Sequence, residues 1–155
     1  MSSCYSLGAE RMWVSNGTAE VFARAFLECL SPTRTADGEA ALGAALEELV
    51  EIDAPGMLGF FLDSEPYAHP PVLAVLERAI EDTLTRSADI LERRQPPDGL
   101  LEFLQRLSPA YQAHWLANLL RLHAMVRRAR GEPLERPTFV VSESLVALIE
   151  GELGA

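Results

Sequence analysis

The stretch Ser108–Gly131, SPAYQAHWLANLLRLHAMVRRARG, carries helix signals at both ends and apolar residues on two of its sides. Ser108 suits the capping position and Pro109 the first helical position. Gly131 suits the left-handed residue past the end, and Pro133 blocks continuation. At about 100° per residue, Tyr111, Trp115, Leu119, Leu122 and Val126 share one sector, while Ala113, Leu116, Ala117, Leu120 and Ala124 share a second. His114, Asn118, Arg121 and Arg128 form a narrow polar stripe, with Gln112, His123 and Arg127 between the apolar sectors. A helix apolar on two sides must be covered on two sides. The expected fold is therefore mainly α, a single-domain helical bundle built around this central two-sided helix at about 109–130.

Working outward, several other segments read as helices that could supply the cover. Val21, Phe22, Ala25, Phe26, Cys29 and Leu30 make an apolar face at helical spacing, with capping candidates in Ser15–Thr18 and a stop at Ser31-Pro32. Asp37 suits the cap of a second helix running to about Asp53, with Leu42, Ala45, Leu46, Leu49 and Val50 inward. Pro70-Pro71 open a long helix to about Arg94, with Leu73, Leu76, Ala79, Ile80, Leu84, Ser87 and Leu91 on one side. Arg78, Asp82, Arg86 and Asp89 alternate in sign on its outer face, the pattern of a solvated surface. Leu100–Leu107 reads as one short helix. Ser142 suits the cap of a last one with Leu145, Leu148, Ile149 and Leu153 as its apolar positions.

Two short runs, Met12–Val14 and Thr138–Val141, have strand character and are candidates for a minor two-stranded element. Residues 1–11 are polar and contain glycine, and loose order is expected there. Ala54–Pro71 is broken by Pro55, Gly56, Gly59, Pro66, Pro70 and Pro71. Met57, Leu58, Phe60, Phe61 and Leu62 are too apolar for a free loop, so a short buried helical turn is expected. The alternative is an exposed apolar interface beside Asp63 and Glu65.

At 155 residues and 48% hydrophobic, the chain suits one domain able to fold without staples. Its two cysteines, Cys4 and Cys29, are too few for a disulfide framework and are expected to be reduced and structural. No apolar run approaches the roughly 18 residues of a membrane span, and the first residues lack a secretory signal. A cytoplasmic protein without a membrane partner is expected.

The net charge of −10 is unevenly spread: residues 1–90 hold 15 acids against five arginines, and residues 91–155 hold eight against eight. This argues against nucleic acid as a partner and leaves a protein with a basic surface as the positive reading. A solvated, solubilising face is the alternative. No basic residue lies between Arg34 and Arg78, so Glu39, Glu47, Glu48 and Glu51 repel one another without a cation in their own segment. Glu47, Glu48, Glu51, Asp53, Asp63 and Glu65 are the candidate partner-binding residues. All 13 basic residues are Arg, which supports no functional conclusion by itself.

Catalytic signatures are absent: there is no Gly-rich phosphate loop, nucleophile elbow, Cys-rich zinc spacing or HExxH. Asp63, Glu65 and His69 are the nearest approach to a metal or acid–base site, and a weak one. His114, Asn118 and Arg121 could bind an anion, or simply hydrogen-bond to neighbouring helices. Trp13 and Trp115 read as core aromatics before ligand-stacking groups. Arg127, Arg128 and Arg130 complement the dipole of the last turn. No catalytic residue, metal or cofactor is expected, and no enzymatic activity.

In kind, a small, acidic, helical, lysine-free chain with no catalytic signature resembles the bacterial immunity and antitoxin proteins that neutralise a toxin by binding it. That resemblance is of type and carries no residue across. It implies a stoichiometric inhibitor. The alternatives are a helical regulator or scaffold acting as a homodimer, and a small metal-dependent enzyme.

Overall fold

Ser15 ends a strand and begins a helix, and the elements on either side of it set the first half of the fold. In the computed structural model, which describes residues 2–51, 60–96 and 99–154, strand β1 (Ser2–Leu7) pairs antiparallel with β2 (Glu10–Ser15). Ser15 Oγ then accepts the Thr18 amide at 3.1 Å, capping α1 (Asn16–Glu28). Helices α2 (Glu39–Glu51) and α3 (Pro70–Leu91) follow, then a 3-10 helix (Gly99–Arg106), α4 (Pro109–Arg130) and α5 (Glu143–Gly154). The chain is mainly helical with one small sheet, as its periodicity implies.

The central helix is α4, and it is covered on two sides. It packs against α3 and α5, while α1 packs against α2, α3 and the 3-10 helix. Trp115 joins these layers. Its ring meets Phe22 of α1 edge-on at 4.8 Å and Phe103 of the 3-10 helix edge-on at 5.5 Å. Its indole Nε1 donates to Ser87 Oγ of α3 at 3.0 Å, so the buried donor is satisfied. Leu116, Leu119, Leu122 and Val126 are fully buried along the same helix. Two details of the α4 ends differ from expectation. Ser108 occupies the capping position without a side-chain cap bond, and Tyr111 is exposed, because the first turn extends past the layers that cover the rest of the helix. Pro109 and Gly131, with φ +72°, stand as expected.

The sheet is where the structure corrects the sequence most. Residues 2–7 are not loosely held: Ser3, Cys4, Tyr5 and Ser6 are all buried. Nor does 12–14 pair with 138–141. Its partner is β1, joined through a two-residue turn in which Gly8 takes φ +60°, a geometry that glycine supplies without strain. Thr138–Val141 stays irregular. On its other edge β1 meets residues 60–62, with Ser6 donating to Phe60 O at 2.9 Å and accepting from the Leu62 amide at 2.8 Å. Phe61 therefore bridges to β1 in place of the expected buried helical turn, and the chain turns just after it, where the Ser64 amide donates to the Phe61 carbonyl at 3.0 Å. Met57 and Leu58 lie outside the described residues.

Cavity formation at the joint between layers should be costly. Trp115→Ala is expected to destabilise the fold by on the order of 3–5 kcal/mol, measured by urea denaturation, whereas Tyr111→Ala should change little. Equal effects would show that Trp115 is not the joint.

Candidate functional site

The expected acidic face resolves into groups with different roles. Glu39 does not belong to it: the residue is buried, and its carboxylate accepts the Ser31 amide (2.7 Å), the Ser31 hydroxyl (3.1 Å) and the Ala36 amide (3.1 Å). The bond from the Ser31 amide, helped by the others against the cost of burial, holds its carboxyl below the ordinary 4.5. Glu47 is not uncompensated either. Arg34 folds back along α2 and donates to it, which lowers the carboxyl and raises the guanidinium. Gly43 makes room for this, since a Cβ there would stand 2.7 Å from Arg34 Nη1.

Glu48 and Glu51 are exposed and make no ion pair among the described residues. Glu48 lies within electrostatic reach of Tyr67, whose hydroxyl is pushed up by burial and then by that charge. The tail of α2 and the 60–69 segment are thus near neighbours. Glu65 is exposed and pairs with His69 Nε2 at 2.6 Å. Asp63 is exposed and accepts the Gly8 amide at 3.0 Å. Asp63, Glu65 and His69 do not converge: Asp63 anchors the hairpin turn while the other two pair with each other. Asp53 lies outside the described residues.

Beside these carboxylates stands an apolar group that sequence periodicity could not single out. Phe60 and Leu62 are each 1% exposed, but Phe61 between them is 49% exposed. The extended pairing with Ser6 turns alternate side chains to opposite faces and leaves this ring outward. An exposed aromatic followed within four residues by the exposed carboxylates of Asp63 and Glu65 has the make-up of a docking anchor with a polar edge.

The polar stripe of α4 works internally. His114 Nδ1 lies 3.2 Å from Glu152 Oε2, and Arg121 donates to Asn118 Oδ1 at 3.1 Å and to the Glu152 carbonyl at 2.5 Å. These bonds dock α5. Arg128 pairs with Glu10 of β2. His114, Arg121 and Arg128 also border a surface groove of about 600 Å³, together with Trp13 and Leu134. Trp13 is 58% exposed, so it is not a core aromatic.

One constellation was absent from the sequence reading: Glu77 and Glu81 on α3 facing His123 on α4. One ligand-type atom from each lies within 4.8 Å of the others. Arg127 and Arg130 donate to Glu77 Oε2 at 3.4 and 2.9 Å. The only available signal was spacing, with Glu77 and Glu81 at i,i+4 on one helix and His123 and Arg127 at i,i+4 on another. Pairing the two helices was needed to use it.

No known protein family, curated protein or solved structure matches the chain.

The Glu39 bonds give a pH dependence. Because its folded value is depressed, the stability it contributes is complete above the ordinary 4.5 and is lost as pH falls through the lowered value. Glu39→Gln should therefore flatten the fall in urea midpoint between about pH 5 and 3. Parallel curves for both proteins would remove this role.

Proposed function

We propose that the protein is a stoichiometric protein-binding protein, an inhibitor of the bacterial immunity or antitoxin type, whose acidic face docks on a basic surface of its partner. A toxin that itself binds an anionic substrate through a basic cleft is the kind of partner this face suits. The observation that carries the reading is Phe61, an exposed aromatic two and four residues from the exposed carboxylates of Asp63 and Glu65, together with Glu48 and Glu51, which are exposed and in no ion pair among the described residues. Such an anchor supplies buried apolar area, while the carboxylate rim steers encounter and rejects acidic competitors. Arg34, bonded to Glu47, does not cancel this charge at the rim.

A homodimeric regulator is the second reading, favoured by the exposed Trp13 and Leu134 at the groove beside α4. Sedimentation equilibrium separates the two, since the first reading expects a monomer before the partner is added.

The direct test is binding kinetics against the partner isolated from the native organism. Glu48→Arg with Glu51→Arg should lower the association rate about tenfold at low salt, with little effect on dissociation. That difference should disappear in high salt, because rim charges act on encounter. Glu47 is left unchanged, since its reversal would set two guanidiniums together. Phe61→Ala should speed dissociation instead. Association rates independent of salt and of both reversals would reduce the acidic face to a solubilising one.

A further inference from the structure

The carboxylate of Glu77 poses a problem that its own neighbours only half solve. Its side chain is 8% exposed, and Oε2 takes both guanidiniums, from Arg127 at 3.4 Å and Arg130 at 2.9 Å. Oε1 is buried and has no hydrogen-bond partner among the described residues. A charged oxygen removed from water without a partner is costly. The groups nearest to supplying that partner through a cation are Glu81, one turn along α3, and His123, whose side chain is 4% exposed. His123 Nε2 already lies 3.0 Å from Glu81 Oε1.

We propose that Glu77, Glu81 and His123 form a binding site for a divalent zinc-class cation that bridges α3 and α4. Two carboxylates and one imidazole are a three-ligand set of the kind zinc takes when its fourth position stays open to water. In a tetrahedral site with bonds of about 2.0–2.1 Å, ligand atoms lie roughly 3.3–3.4 Å apart. The ligand-type atoms lie within 4.8 Å of one another, so an ion at the site would draw them in by about 1.4 Å at most. Access exists. His123 and Glu81 border a surface cavity of about 320 Å³ that is also lined by Asp82, Arg127, Glu135 and Arg136.

The charges permit the ion. Glu77, Glu81, Asp82 and Glu135 set four carboxylates against the guanidiniums of Arg127, Arg130 and Arg136, and Arg136 is engaged by Glu150. Arg127 and Arg130 hold Glu77 by the oxygen that the cation does not use, the arrangement of outer partners that orient a ligand. This site does not depend on the acidic docking face.

The test titrates the chelator-treated full-length protein with Zn²⁺ by calorimetry and with Co²⁺ by visible absorption. One equivalent of Zn²⁺ should bind and raise the melting temperature, and Co²⁺ should give the ligand-field bands of a four- or five-coordinate nitrogen–oxygen site. Glu81→Gln and His123→Ala should each weaken Zn²⁺ at least about 100-fold, beyond the range seen for outer-shell partners. If His123→Ala fails to fold, Glu81→Gln decides, because its carboxylate is partly exposed. Absence of binding to the wild type, or unchanged affinity in Glu81→Gln, overturns the proposal. Loss of binding in Glu65→Gln/His69→Ala also overturns it, by placing the ion on the exposed pair.

Discussion

The contact on which the rest of the molecule depends is the indole of Trp115, held in place by Phe22, Phe103 and Ser87. Three elements meet α4 at this one side chain. Each restricts it differently: Phe22 and Phe103 by edge-on ring packing, and Ser87 by a directed hydrogen bond. Because the indole nitrogen carries a single, directed donor, its bond to Ser87 ties the rotation of α3 about its own axis to that of α4. A ring in an unstructured apolar core would not impose that.

Once α3 and α4 are fixed in rotation, the polar residues further along both helices have no choice of partner. Glu77 and Glu81 are brought opposite His123, Arg127 and Arg130, a partly buried charge cluster in which the buried Glu77 carboxylate would not tolerate its burial without the guanidiniums. The same rigid pair supports the first half of the chain. Phe22 carries α1 onto Trp115, and Tyr5 of β1 packs with tilted rings between Phe22 and Phe60, which positions the 60–69 segment and the outward Phe61. The proposed docking face thus stands on aromatic contacts that run back to the central helix.

What the sequence disclosed and what it hid divide along physical lines. The extent of α4 was legible because proline and glycine at its ends act through the backbone, and its two-sided burial because apolar spacing at 3.6 residues per turn is a local property. β1 was hidden because Ser3 and Ser6 are buried polar residues. Ser3 bonds to Asn16 at 2.5 Å, and Ser6 pairs through its backbone with Phe60 and Leu62, contacts that hydrophobic patterning does not register. Thr138–Val141 misled for the opposite reason: β-branched residues need an edge to pair with, and here the Val140 carbonyl is taken by Arg94. Of the candidate site, the exposure of Glu48, Glu51, Asp63 and Glu65 was legible from charge. The Arg34–Glu47 pair, the internal use of Glu39 and the Glu77 cluster were not, because each depends on a chain reversal or on helices that pair across some 50 residues.

The central claim, that α4 is the helix the others are built on, is tested most directly by native-state hydrogen exchange of the whole chain. The account predicts that the amides of Leu116–Val126 exchange only through global unfolding, with the same denaturant dependence as the α3 amides around Ser87. The amides of α5 should open at lower free energy, since only Leu145 and Ile149 of that helix are buried. Exchange from the middle of α4 by local opening, at a free energy no higher than that of α5, would contradict it.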